Sequence, residues 1–308
     1  MRQPMSAVRT VLGDVDPAVL GITHGHEHVL FNPVIDRGRD FARVEHSLAL
    51  EELESFRSVG GSALVDATVE ELGRDPGALR HLSRQSGVHV VAACGHTAQE
   101  WWNGALDLNS MAEIELVEGF VSELTDGIGD TGVRAGVIKI GTSFNEVTET
   151  ESRVIAAAAA AQRATGAPIV SHTTAGTMGL EQVRLLERAG ADLTKVCIGH
   201  LDRRLVLEEH LEIARTGVYL GYDQISKEKY EADTVRAEFL RRLVEAGFGD
   251  RVILASDLAR RSDFPAWGGS PGLTHLITSF VPLLVAHGLD TETDRFLIHN
   301  PRRFLAWG

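Results

Sequence analysis

Apolar, β-branched runs recur along the whole chain, and the stretches between them space their apolar positions three and four apart. Eight of these runs read as strands: Val19–His26, Ser62–Thr68, Val88–Cys94, Val133–Ile140, Pro168–His172, Lys195–His200, Val218–Tyr222 and Arg251–Asp257. Near-continuous hydrophobicity marks strands covered on both faces, as in a parallel sheet wrapped by helices. Met111–Leu124, Val154–Ala164 and Val235–Ala246 show helical spacing. The second of these is alanine-rich, a strong intrinsic helix former, and Gly166 and Pro168 punctuate its end. Gly190, Gly217 and Gly247 fall where helices hand over to strands. Strand–helix alternation repeated eight times predicts an α/β fold of the (β/α)8 TIM-barrel type. No linker or low-complexity segment divides the 308 residues, so a single domain over 1–308 is expected.

Polar residues interrupt this pattern at the strand ends. The segment THGHEHVLF (23–31) sets His24, His26 and His28 at alternate positions. Alternate residues share one face of a strand, so two of these imidazoles can bind one metal ion. Three histidines at period two make a poor hydrophobic core, because each ring nitrogen needs a partner. Spacing alone allows His24 with His26 as readily as His26 with His28. Glu27 points to the opposite face and reads as a hydrogen-bonding support to the histidines. Four later runs end in GVIKIG with Lys139, PIVSHT with His172, VCIGH with His200 and VILASD with Asp257. In a parallel barrel the C-terminal strand ends converge on one face, which would bring these residues together. Each has a plainer reading: a snorkelling lysine, histidines capping loops, an aspartate capping a helix. Lys139 lies among Val137, Ile138 and Ile140. A buried ammonium is costly, so its pKa should fall and free the amine to react with carbon dioxide.

Two loops on the predicted catalytic face carry cations. Tyr222, Gln224, Lys227, Lys229 and Tyr230 follow the seventh strand, and Arg260 and Arg261 follow the eighth. Together they read as a substrate-binding set able to hold a carboxylate or phosphate, or else as ordinary solvated surface. Long loops run from His96 to Ser110 and from Arg260 to Gly272. Their Trp101, Trp102 and Trp267 line an apolar pocket or pack as a lid.

Composition narrows the partners. Thirty Lys and Arg against 43 Asp and Glu leave a net charge of −13, which argues against nucleic acid. Cys94 and Cys197 each sit in an apolar run and read as reduced core residues. The opening MRQPMSAVRTVLGDVD lacks the apolar stretch of a leader, and no run approaches a membrane span. A cytoplasmic protein acting on a small molecule, with no membrane partner, is expected.

Taken in order, GITHGHEH (21–28), VIKIG (137–141), SHT (171–173), CIGH (197–200) and SD (256–257) resemble the phosphotriesterase family of the amidohydrolase superfamily. The ending, with ARRSDF, WGG and HNPRRF, is most similar to the subgroup of phosphotriesterase homology proteins. The resemblance implies a pair of divalent metal ions, zinc, with manganese or cobalt as substitutes. It implies His26 and His28 as the first-strand ligands, leaving His24 outside. It makes Lys139 a bridging ligand carboxylated by carbon dioxide, His172 and His200 the ligands of the second metal, and Asp257 the last ligand and catalytic acid/base. A metal-bridging hydroxide would then attack the substrate. Family members that hydrolyse homoserine lactones carry a tyrosine after the third strand and an arginine after the seventh, where this chain has Thr97 and Gln224. Dedicated phosphotriesterases carry a titratable histidine at the latter place. From the breadth of the family the resemblance implies hydrolysis of a small carboxylic ester: a lactone, such as a sugar or phosphorylated lactone. The alternatives are an amidase for small N-acyl compounds, a promiscuous phosphotriesterase or aryl esterase, and a metal-bound scaffold without turnover. Barrels of the family often pair as homodimers, and no residue of the chain decides this.

Overall fold

In the computed structural model, which describes residues 6–307, the chain opens with an antiparallel hairpin, β1 (Val8–Thr10) and β2 (Gly13–Val15). Strands of three residues are too short to give a period, so the sequence did not announce them. Residues 1–5 of the opening stretch lie outside the described residues. The hairpin seals the N-terminal end of the barrel: Val11 N–H bonds the Val90 carbonyl at 2.8 Å, and Val8 is wholly buried with the interior core.

Eight parallel strands follow: β3 (Ile22–Glu27), β4 (Gly61–Asp66), β5 (His89–Gly95), β6 (Val137–Thr142), β7 (Ile169–Thr173), β8 (Val196–Ile198), β9 (Tyr219–Tyr222) and β10 (Val252–Leu254). Neighbours in sequence are neighbours in the sheet, from β3 round to β10. The predicted strands are these eight, with shifted ends. β3 starts after a 3-10 turn at Pro17–Val19, which the Asp16 carboxylate caps at the Ala18 N–H. β6 starts after Gly136, where a Cβ would lie 2.3 Å from the Arg9 carbonyl, so only glycine lets the hairpin backbone cross there. β8 and β10 stop short of His200 and Asp257, whose φ angles are +58° and +48°. A left-handed residue ends the strand and turns its side chain over the barrel mouth.

Helices α1 (His46–Ser58), α2 (Pro76–Ser86), α3 (Glu113–Thr125), α4 (Glu149–Thr165), α5 (Gly179–Arg188), α6 (Leu207–Arg215), α7 (Asp233–Glu245), α8 (Val281–Ala286) and α9 (Asn300–Leu305) wrap the sheet. The alanine run sits in α4, whose start is fixed by a capping box. Thr148 Oγ1 accepts the Glu151 N–H, and the Glu151 carboxylate accepts the Thr148 N–H at 2.9 Å. Ala157, Ala158 and Ala161 are buried in the core, their small side chains allowing a close approach to the sheet. Side chains alternate between two cores. Ala63, Val65, Val91, Val137, Val170 and Ile253 fill the barrel interior, and Leu64, Val90, Ile138, Ile169, Ile198 and Leu220 face the helices. Cys94 and Cys197 are free and buried. Among the described residues no helix is long and apolar enough to cross a membrane.

Candidate active site

Six residues from five strand ends meet above the interior core. His26 projects inward from β3 and His28 from just beyond it. Lys139 stands in β6, His172 in β7, His200 one residue past Gly199 at the end of β8, and Asp257 beyond β10. All are buried except Asp257 and His172, which are partly accessible. His24 does not join them, although a regular strand would put all three histidines on one face. The β3–β4 register shifts between His24 and Glu27, and this irregularity turns His24 to the helix side. There its ring lies 4.6 Å from that of Phe56, and its Nδ1 bonds Glu27 Oε1 at 2.9 Å.

Each clustered histidine spends one ring nitrogen on the protein. His26 Nδ1 lies 3.1 Å from Asp223 Oδ2, and His200 Nδ1 lies 2.7 Å from Asp223 Oδ1. His28 Nδ1 bonds Thr68 Oγ1 at 2.8 Å, and His172 Nε2 bonds Thr174 Oγ1 at 3.1 Å. Both threonine hydroxyls donate onward, to the Leu30 and Thr142 carbonyls, so each accepts from its histidine. The pattern assigns the N–H of every ring to its outer nitrogen and leaves a lone pair on the inner one. These inner atoms converge. His200 Nε2 and His172 Nδ1 are 2.8 Å apart, and His28 Nε2 is 3.2 Å from Asp257 Oδ1. Lone pairs facing lone pairs and a carboxylate repel unless a cation lies among them. Ligand atoms of His26, His200 and Asp257 also lie within 4.8 Å of one another. Nitrogen and oxygen donors of this kind suit zinc and its neighbours, so the residues fit a metal centre.

Electrostatics agree with neutral ligands. Burial, with the Lys139 charge beside it, pulls His26 down to about 3; burial also lowers His28 and His172. Burial brings Lys139 down to about 8, and its Nζ sits 2.7 Å from His26 Nε2. Burial alone would raise Asp257, but the Lys227 ammonium beside it outweighs this and holds the carboxyl well below its usual range. Lys227 Nζ donates to Asp257 Oδ2 at 2.9 Å, and Gln224 Nε2 donates to the same oxygen at 2.7 Å. Asp223 is likewise held low by His200 and His26 against the effect of burial. The loop carrying Gln224 is fixed from below by Asp202, which accepts the Gln224 N–H at 3.0 Å and pairs with buried Arg236.

A cavity of about 140 Å³ opens over the cluster. Phe31, Phe41, Leu72 and Trp101 make its apolar side; Arg203, Lys227, Lys229 and Arg260 bring cations to it. Arg203 and Lys229 flank the Tyr230 ring at 3.9 and 4.9 Å, and Arg260 lies 4.2 Å over Phe41. Thr97 and Gln224 both line the cavity. Arg203 was missed in the sequence, although the cationic pair of HLDRR directly follows the strand-end histidine. Asp223, Thr68 and Thr174 were also missed, since isolated polar residues at strand ends carry no pattern.

Arg261 and Tyr222 of the expected substrate-binding set point elsewhere, and of the two readings open for Trp102 and Trp267 it is packing that holds. Arg261 donates Nε–H to the Ala42 carbonyl at 2.7 Å and pairs with Glu45, so it ties the last loop to the first. Trp267 bonds Glu45 in the same knot, and Trp102 is fully buried, donating to the Thr97 carbonyl. Tyr222 alternates to the helix side of β9, where its hydroxyl meets His210 Nδ1 at 2.6 Å. His210 Nε2 lies 3.0 Å from the Arg204 carbonyl, so a neutral ring donates there and accepts from Tyr222. Burial holds this histidine at about 4. Its folded pKa is below the unfolded one, so stability falls as pH drops below the unfolded value, by about 2 kcal/mol at about pH 5. The melting-temperature advantage of the parent over His210→Gln should therefore shrink between about pH 7.5 and about pH 5; an unchanged gap would refute the neutral ring.

Comparisons with known proteins agree with this architecture. The phosphotriesterase family profile matches residues 6–305. The phosphotriesterase homology protein of Escherichia coli is 33% identical over 291 residues, 94% of this chain and 98% of that protein. The N-acetyltaurine hydrolase of Danio rerio is 31% identical over 352 residues, covering both chains fully. The crystal structure of a lactonase from Listeria monocytogenes superposes with a TM-score of 0.96 at 30% identity, over 98% of this chain and all of that one. Proteins of this family are binuclear metal enzymes. The chain belongs to the phosphotriesterase family of metal-dependent hydrolases.

Proposed function

We propose that the protein hydrolyses a small lactone bearing an anionic group, such as a phosphorylated sugar lactone. One observation carries the reading: the ligand cluster and the cations Arg203, Lys229 and Arg260 face the same cavity. His26, His28, Lys139, His172, His200 and Asp257 would hold two divalent ions, zinc in the first instance, with Lys139 carboxylated by carbon dioxide as the shared ligand. When bound, such ions activate water at neutral pH and polarise the carbonyl under attack. The chain's own groups do the rest. Phe41 and Trp101 exclude water from one side of the ring, while Arg203, Lys229 and Arg260 bind the anion and orient the ester. Lys227 and Gln224 occupy one oxygen of Asp257 and keep the carboxylate ionised. That carboxylate accepts the proton released on attack and returns it to the leaving oxygen.

An amide reading has specific support in the N-acetyltaurine hydrolases among the relatives. An acyl amide with an anionic end would occupy the same cationic wall, and only the leaving atom differs. The test is a matched panel of initial rates on zinc- or manganese-loaded protein, with Lys139→Ala as the blank. It holds lactones with and without a phosphate, N-acyl amino acids and sulfonates, an aryl ester and a phosphotriester. Phosphorylated lactones should lead. Lys229→Met and Arg260→Met should each raise KM on them about tenfold, leaving KM for the neutral lactone within about twofold. If neutral substrates match anionic ones, the cationic wall has no role; if an amide leads, the lactone assignment is wrong.

A further inference from the structure

The seam between β3 and β10 is where the barrel's hydrogen-bond ladder stops. Among the described residues one backbone bond crosses it, from the Asp257 N–H to the His26 carbonyl at 3.1 Å. Two buried charged side chains supply what the ladder lacks. Glu27, directed away from the site, accepts the Ser256 N–H at 2.8 Å on one oxygen and the Leu258 N–H at 3.0 Å on the other. Arg43 donates to the carbonyls of His28 at 2.7 Å, Val29 at 3.2 Å and Ala259 at 3.1 Å, with its guanidinium 4.1 Å over Phe264. No carboxylate lies within ion-pair distance of Arg43 among the described residues; its whole donor set goes to backbone on either side of the seam.

The residues so held bracket Asp257 and follow His28. Asp257 has a φ of +48°. A side-chain-bearing residue in that region is strained and persists only where its surroundings over-determine it. Glu27 fixes the amides immediately before and after Asp257, and Arg43 fixes the carbonyls beyond them. We propose that Glu27 and Arg43 form one clamp of positioning residues, which holds the Asp257 carboxylate at its distance from His26 and His28 across the open seam. Glu27 thus reaches the site through the backbone of the last strand rather than through the two histidines it separates in sequence. The proposal rests on the reading of Asp257 as a metal ligand and proton acceptor.

The experiment compares the parent with Glu27→Gln, Glu27→Asp, Arg43→Lys and Asp257→Asn, each as the full chain. Gln keeps the volume of Glu27 but offers one acceptor where two amides need one each. Lys keeps the charge of Arg43 but cannot reach carbonyls on both sides. The readouts are zinc affinity of the metal-free protein by chelator competition, amide exchange at Ser256 and Leu258, and kcat and KM of the loaded enzyme. Folded Glu27→Gln and Arg43→Lys should bind zinc about tenfold or more weakly, lose kcat by a similar factor and keep KM within about twofold. Glu27→Asp should fall between them and the parent. Unaltered zinc affinity and kcat, with only a lowered melting temperature, would make both residues plain structural supports and overturn the clamp. If one variant does not fold, the other decides by the same criterion. Asp257→Asn separates the two levels. If it binds zinc and turns over like the parent, the reading of Asp257 fails and the clamp has nothing to position. If it is impaired while the clamp variants are normal, the clamp alone falls.

Discussion

Replacement of Lys139 by alanine should leave at most one firmly bound metal ion per chain and reduce turnover by about 10³-fold or more. Three facts set this expectation. The amine is in the centre of the cluster, 2.7 Å from His26 Nε2. It is almost wholly buried, and burial brings its pKa to about 8, so a useful fraction is free amine at neutral pH. Its neighbours in β6, Ile138 and Ile140, give it no surface route along which to snorkel. Alanine removes both the amine and any carbamate formed on it, while the strand retains its ladder to β5 and β7. Metal content by mass spectrometry and initial rates check the result together. An alanine variant that holds two ions and keeps a tenth or so of its activity would show that the lysine is only packed there.

Asp257→Asn should lower kcat by about 10²–10³-fold with little change in KM. The carboxylate is ionised because the Lys227 ammonium overcomes the effect of burial. Asparagine matches its size and can still bond Gln224, but it cannot accept a proton. Gln224 does not titrate, so no neighbour on that loop can take over the task. Rates measured at matched metal content separate loss of proton acceptance from loss of a ligand. Full turnover in this variant would show that Asp257 is not the proton acceptor.

The barrel was legible because a buried parallel strand is nearly all apolar, and eight such runs alternate with helical spacing. The convergence of the site residues was legible for a related reason: a histidine, lysine or aspartate at the end of an apolar run has few structural uses. The errors share a cause. Tyr222 and Arg261 were assigned by proximity to a strand end, yet a residue one place along a strand changes face, and Tyr222 falls on the helix side. His24 needed a register shift that no periodicity reveals. Asp223, which holds two histidines at once, is a single aspartate in the sequence and becomes meaningful only when β9 lies beside β8. The hairpin sealing the barrel floor was too short to leave a period.

The dispersal of the ligands has a consequence for biogenesis. Apart from His26 and His28, each proposed ligand comes from a different strand end, and Asp257 enters beyond the last strand. A chain still emerging from synthesis therefore holds no more than part of the centre until that last strand is made. Loop-closure entropy across most of the chain must be overcome by hydrophobic burial before any ion finds its full donor set. The full set of proposed ligands therefore exists only once the last strand is in place, unlike in small zinc modules whose folding the ion itself drives.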